Sequence, residues 1–97
     1  MISFEWDSYK NSQNIKKHGV SFEEAIGAFK DEEAILYTDS DHSSEEDRYI
    51  LLGLDRKTRL LVVVHCYRES DRIIRLISAR IATRKEETSY LNRDGRW

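Results

Sequence analysis

The run Leu60-Leu61-Val62-Val63-Val64 constrains the fold more than any other feature of the chain. Successive side chains of a strand point to opposite faces, so a run that is apolar at every position describes a central strand buried on both sides. That strand is expected over Leu60–Tyr67. In 97 residues there is room for one domain around it and for only a thin core, so a stabilising partner would be unsurprising.

The elements around it carry their own signals. Ser3–Trp6 reads as a short strand or a docked arm. A first helix is expected over 7–18, with Asp7 as N-cap, Lys16, Lys17 and His18 in the last turn and Gly19 as the left-handed stop. Ser21 through Glu24 has the S-x-x-E capping-box spacing, and Phe22, Ala25, Ile26 and Phe29 follow on one helical face. Ile35–Thr38, Arg48–Leu54 and Ile73–Ala79 are the other strands, with a polar loop over 39–47. Short turns make an antiparallel meander the natural pairing. Thr83 through Glu86 is a second capping box, opening a helix that should end near Gly95. The expected architecture is α+β: two N-terminal helices, a four-stranded antiparallel meander and a C-terminal helix, with the helices packed on one sheet face.

Hydrophobic residues make up 39% and charged residues 35%, which excludes a disordered chain. No apolar run is long enough to cross a bilayer, and the acidic N-terminal stretch is unlike a secretory signal. The lone Cys66 cannot form an intrachain disulfide, so a reducing cytoplasm is the expected compartment. The net charge of −2 hides an asymmetry: residues 1–55 sum to −8 and residues 56–97 to +6. The Arg-rich half is either a phosphate-binding surface or a solvated face that meets the acidic half within the fold.

Alternation along the central strand puts Leu61, Val63, His65 and Tyr67 on one face and Leu60, Val62, Val64 and Cys66 on the other. His65 could shuttle a proton near neutral pH, or simply hydrogen-bond a neighbour at the strand end. On the fourth strand of the meander, strict alternation groups Ile74, Leu76, Ser78 and Arg80 against Ile73, Arg75, Ile77 and Ala79. Arg75, flanked by apolar residues, needs a partner, and a carboxylate from the acidic half would serve. Arg80, at the strand exit, has the freer geometry for bidentate phosphate binding. His18, His42 and His65 lack metal-ligand spacing, no metal or cofactor is expected, and the scattered glycines form no phosphate loop. Arg, Lys, His, acids and a C-terminal Tyr suit metal-independent RNA cleavage: a base takes the ribose 2′-OH proton, a cation steadies the phosphorane and an acid protonates the leaving oxygen. They suit plain phosphate binding equally.

Several segments together are similar to a known family. Phe4-Glu5-Trp6-Asp7, Lys10-Asn11, Asn14 and Lys17-His18-Gly19-Val20-Ser21-Phe22-Glu23-Glu24-Ala25 resemble the BrnT family of toxin–antitoxin toxins. So do His42-Ser43, Glu46-Asp47-Arg48-Tyr49, Gly53, the stretch Ile74 through Arg80, Ala82-Thr83, Glu86 and Tyr90. Leu76 departs from the family's usual isoleucine, and Asn92–Trp97 lies outside the pattern. The resemblance implies a RelE-like microbial ribonuclease fold and a bacterial toxin that cuts RNA, reduces translation and inhibits growth. It also implies a BrnA antitoxin with a ribbon-helix-helix DNA-binding part, a two-plus-two heterotetramer, and repression at operator DNA through the antitoxin. His65, Glu46, Arg48 and Arg80 are the expected catalytic group, with His65 or Glu46 as base and Arg80 or Arg48 as phosphate clamp. Lys17, His18, Arg68, Arg75 and Tyr90 are the expected RNA-binding residues. Each has a structural alternative: Glu46 with Arg48 as an ion pair, Lys17 and His18 as helix-end residues, Tyr90 as packing. The rival function is a non-catalytic subunit that docks its antitoxin and co-represses.

Overall fold

The helix signals act where the sequence puts them. In the computed structural model, which describes residues 2–39 and 47–93, α1 (Ser8–His18) begins at Asp7, whose carboxylate accepts from the Lys10 N–H. It stops at Gly19, which takes a left-handed φ of 71° and returns its N–H to the Ile15 carbonyl. α2 (Phe22–Ile26) opens on the reciprocal bonds of Ser21 and Glu24 and tightens into a 3-10 turn over Gly27–Lys30. α3 (Arg84–Leu91) opens on the same box formed by Thr83 and Glu86, and it ends at Leu91 rather than near Gly95. Of the polar loop expected over 39–47, residues 40–46 lie outside the described residues, Glu46 and His42 among them.

The strands are β1 (Ser3–Glu5), β2 (Ile35–Thr38), β3 (Tyr49–Leu54), β4 (Leu60–Arg68) and β5 (Ile73–Ile81), in the order β1-β5-β4-β3-β2. β2 to β5 form the expected antiparallel meander. Against expectation the sheet has five strands and is mixed, because β1 pairs parallel with β5, Phe4 beside Ile74 and Glu5 beside Arg75. Phe4 pulls the arm in by packing edge-on against Phe29, with ring centroids 5.2 Å apart.

The helices are also not confined to one face. β4 is apolar on both sides and needs cover on both. Leu61 and Val63 join Val20, Phe22, Ala25, Ala28, Leu51, Ile74, Leu76 and Ala79 in a core roofed by α2 and the 3-10 turn. Val62 joins Leu52 and Tyr90 in a smaller core under α3. Close approach on the first side is possible at Gly53, where a Cβ would stand 2.8 Å from the Ala28 carbonyl oxygen.

β5 breaks the alternation expected of it. Val64 pairs with Ser78 but His65 pairs with Leu76, so Ile77 is an extra residue and the strand is bulged. Ala79 therefore joins Ile74 and Leu76 in the α2-side core. Arg80, opposite Val62, shares the α3 face with Arg75, opposite Cys66, instead of lying across the sheet from it. A regular strand would have driven Ser78 and Arg80 into the larger core, where a guanidinium without partners is costly.

Just past the bulge, α1 fastens β5. Asn14 is buried at 6% exposure, and its amide nitrogen donates to the carbonyls of Val20 (2.8 Å) and Ala79 (2.7 Å). Its Oδ1 accepts from the Ala79 N–H at 3.0 Å. Asn14→Ala is expected to cost about 2–4 kcal/mol in urea unfolding, since it strands buried backbone groups. Asn14→Asp should not restore the loss, because a carboxylate cannot donate to either carbonyl.

Candidate functional site

α3 covers only part of its face. Beyond it, toward the end of β4, a row of residues crosses the sheet: Cys66 is paired with Arg75, and Arg75 with Glu5. Arg48 directly precedes Tyr49, the partner of His65, so alternation carries it to the Cys66 face. Arg68, two residues beyond Cys66, is on that face as well. Glu5 Oε2 lies 2.9 Å from the Arg75 guanidinium and 3.7 Å from that of Arg68. Arg75 thus finds the carboxylate from the acidic half that its apolar neighbours required.

At the end of β4 a cleft of about 250 Å³ is lined by Asp47, Tyr49, Cys66, Tyr67, Arg68 and Asp71. The turn behind it is strained: Glu69, Ser70 and Asp71 all have left-handed φ, at 50°, 57° and 67°, with no glycine among them. Such backbone is retained where surrounding structure over-determines it, often at functional sites.

His65 is not on the surface of this cleft. It is fully buried, with 0% exposure, under Phe29, whose ring centroid is 4.9 Å away. The aromatic rings of Phe29, Tyr49 and Tyr67 close over it. Nδ1 is 3.1 Å from the Val63 carbonyl and Nε2 is 3.3 Å from the Tyr67 hydroxyl. Burial pushes the imidazole pKa down, so the ring is neutral at pH 7. A carbonyl oxygen can only accept, so Nδ1 carries the hydrogen and Nε2 accepts from Tyr67.

Two other expected site residues are engaged within the fold. Arg80 does not hold an open fork: its Nη1 and Nη2 grip Glu86 at 2.8 and 2.7 Å. That bidentate bond is the main reason the Glu86 carboxyl is lowered to about 2. Glu86 is therefore both the cap of α3 and the partner of Arg80. Tyr90 is buried at 7% exposure, and its hydroxyl donates to Asp31 Oδ2 at 2.6 Å, so it pins α3 to the rest of the fold. Its pKa is pushed up to about 12, by burial and then by the bond to Asp31.

Lys17 and His18 end α1. That helix starts where β1 leaves Arg75 and reaches Ala79 at Asn14, so its last turn lies toward the other end of β5 from the cleft. The structure therefore brings Arg68 and Arg75 together around Glu5, carries Arg48 to their face by alternation, keeps Arg80 on the same face, and separates Lys17, His18 and Tyr90 from them. Tyr49 and Tyr67, which line the cleft, were not singled out from sequence, although Tyr67 shares the His65 face by simple alternation. Among the described residues no three His, Cys, Asp or Glu side chains cluster as metal ligands would.

The model of the family described as the ribonuclease toxin BrnT of type II toxin–antitoxin systems matches residues 6–86. The chain belongs to the BrnT family. Membership implies an RNA target and an antitoxin partner. The matched span includes Arg48, His65, Arg68, Arg75 and Arg80 and stops short of Tyr90. Among solved structures, the 1.1 Å crystal structure of the Brucella abortus ribonuclease toxin BrnT has the same fold, with a TM-score of 0.66 at 21% identity over 87% of this chain and 100% of that one. No curated protein matches the chain.

If Tyr90 is a pin, Tyr90→Phe should lower stability by about 1.5–3 kcal/mol, the range for a hydrogen bond to a charged group. Burial alone would raise the Asp31 carboxyl, but bonds from the Leu54 N–H, the Tyr90 hydroxyl and the Glu33 N–H bring it below its usual value. The stabilisation is therefore present above the unfolded carboxylate value and fades as pH falls through the lower folded one. Urea titrations at pH 7 and at acid pH should show the Tyr90→Phe difference shrinking, while RNA affinity of the folded variant stays unchanged.

Proposed function

We propose that the chain is a metal-independent endoribonuclease toxin that acts in the bacterial cytoplasm, inhibits translation and growth, and is neutralised by a BrnA-like antitoxin. The observation that carries this reading is the convergence of Arg68 and Arg75 on Glu5 next to the cleft that Arg68 lines, with Arg48 on the same face by alternation. Guanidinium groups hold phosphate oxygens bidentately and supply, without a metal ion, the positive charge a phosphorane needs. Arg48 and Arg75 serve as the phosphate clamp. Arg80 assists from the same face through the N–H groups that Glu86 leaves open. Lys17 and His18 bind the RNA backbone further along. Glu46, outside the described residues, is a candidate base on the family resemblance, and His65 contributes from behind the aromatic rings.

The antitoxin, a ribbon-helix-helix protein, covers the arginine face in a two-plus-two complex and carries it to operator DNA. Covering that face keeps the toxin silent, and acids on the antitoxin would speed docking in a salt-dependent way. A second reading, a subunit that only docks the antitoxin and co-represses, is favoured by the internal use of Arg80 by Glu86 and the burial of His65. The two readings differ in one measurement. The purified chain should cut labelled RNA in the presence of EDTA, leaving 2′,3′-cyclic phosphate ends. Arg75→Ala should slow cleavage by about 10²–10³-fold, as loss of one transition-state charge contact does elsewhere. Cleavage abolished by EDTA and restored by Mg²⁺ would overturn the metal-free mechanism; a folded, antitoxin-binding chain that leaves RNA intact would establish the docking reading.

A further inference from the structure

His65 is sealed from solvent, yet its Nε2 is turned toward a residue that is not. Tyr67 both lines the cleft and hydrogen-bonds to the buried ring. The bond is 3.3 Å long, within the range that tightens when substrate closes a site. The tautomer is fixed from the far side, because Nδ1 must donate to the Val63 carbonyl. The hydroxyl hydrogen of Tyr67 is thereby committed to Nε2, and the lone pairs of the phenol oxygen are left to face other partners. Neighbouring Arg68 lines the same cleft, so a phosphate bound there would share its walls with Tyr67.

We propose that Tyr67 is the catalytic residue that takes the 2′-OH proton of RNA, with His65 behind it as the positioning residue that receives the Tyr67 proton in turn. This inference rests on the ribonuclease reading above. As the 2′-oxygen attacks phosphorus, its proton moves to the Tyr67 oxygen and the Tyr67 proton moves to His65 Nε2. The O2′–P bond forms, the P–O5′ bond breaks, and the 5′-oxygen takes a proton from water. The imidazolium is steadied by the Val63 carbonyl and later returns its proton through Tyr67 to solvent. A buried neutral imidazole suits this duty, because its lone pair is not occupied by a solvent proton at pH 7. Burial, together with Tyr49 and Asp71, raises the Tyr67 pKa, so the phenol keeps the hydrogen that the relay needs.

The test measures cleavage of a labelled RNA from pH 4 to 9 by the full chain and its variants, with melting temperatures recorded for each. Tyr67→Phe removes one oxygen and should slow cleavage by about 10²–10⁴-fold, the range of a lost general base, while melting near wild type. Tyr9→Phe, on an exposed α1 position, should cut at the wild-type rate. In the wild type the rate should fall on the acid side, below the usual histidine value, as His65 takes a solvent proton. That acid limb should disappear in both Tyr67→Phe and His65→Gln. The groups facing the pair are Tyr49 and, in the cleft, Asp47, Cys66, Arg68 and Asp71; Asp47→Asn and Asp71→Asn should retain the limb. A Tyr67→Phe variant that cuts as fast as wild type, or one that keeps the acid limb, would overturn this inference and leave the ribonuclease reading standing. A folded wild type that cuts no RNA would overturn both.

Discussion

The exchange of hydrogen bonds between Asn14 and Ala79 sets the position of most of what surrounds it. β5 is flanked by β4 along its length, but β1 covers its other edge only as far as Arg75. Beyond that point the outward N–H and C=O of Ala79 would be left without a strand, and burying them unpaired would cost more than most single contacts return. The Asn14 amide supplies both a donor and an acceptor, acting as a one-residue strand. Its second N–H reaches the Val20 carbonyl, and Asn11 accepts the Phe22 N–H at 2.8 Å. Two asparagines of a surface helix thus hold the edge of the sheet and the start of α2 in one arrangement, which explains why α1 is well placed although it buries little apolar surface.

The bulge follows from the same anchoring. With Ala79 held at the edge and its methyl in the core, Arg80 must point to the other face. Arg75 already points there through its pairing with Cys66 and Glu5. Two arginines five positions apart fall on opposite faces of a regular strand, and only an inserted residue brings them together. The sheet consequently separates its chemistry. The α2 side is an apolar core with one neutral histidine, and the α3 side carries the guanidinium groups of Arg75 and Arg80, each paired with a carboxylate.

How much of this the sequence disclosed depends on whether the determining contact was local. Both capping boxes, the Asp7 cap and the Gly19 stop join residues within a turn of one another, and all were legible. The meander was legible from β4, whose unbroken apolar run marks the centre of a sheet. The parallel docking of β1, the bulge and the position of α3 were not, since each is decided across the chain: Phe4 by Phe29, Ala79 by Asn14, and Tyr90 by Asp31. A trace of the bulge was present in the order Ile74-Arg75-Leu76-Ile77-Ser78-Ala79-Arg80, where both arginines can avoid the core only if the period slips by one. At the site, the pairing of Arg75 with an acid was foreseen, whereas the burial of His65 was not. Its neighbours Phe29 and Tyr49 come from separate elements, and no spacing along the chain reports that they close over it.

A strand that sends successive side chains to opposite faces can bring both faces to one volume only where the strand ends. β4 does this with Tyr67 and Arg68, which arise from opposite sides and line the same cleft. The turn that follows must then bend away abruptly, and it does so through three left-handed residues without glycine, a conformation that costs of order 1–2 kcal/mol per residue. A looser turn would relieve that strain but let Asp71 leave the cleft it now lines. In this geometry the apolar side can hold a neutral imidazole away from water while the charged side gathers phosphate-binding groups. Neither side has to compromise its solvent environment, because the sheet itself lies between them and the strand end is where they meet.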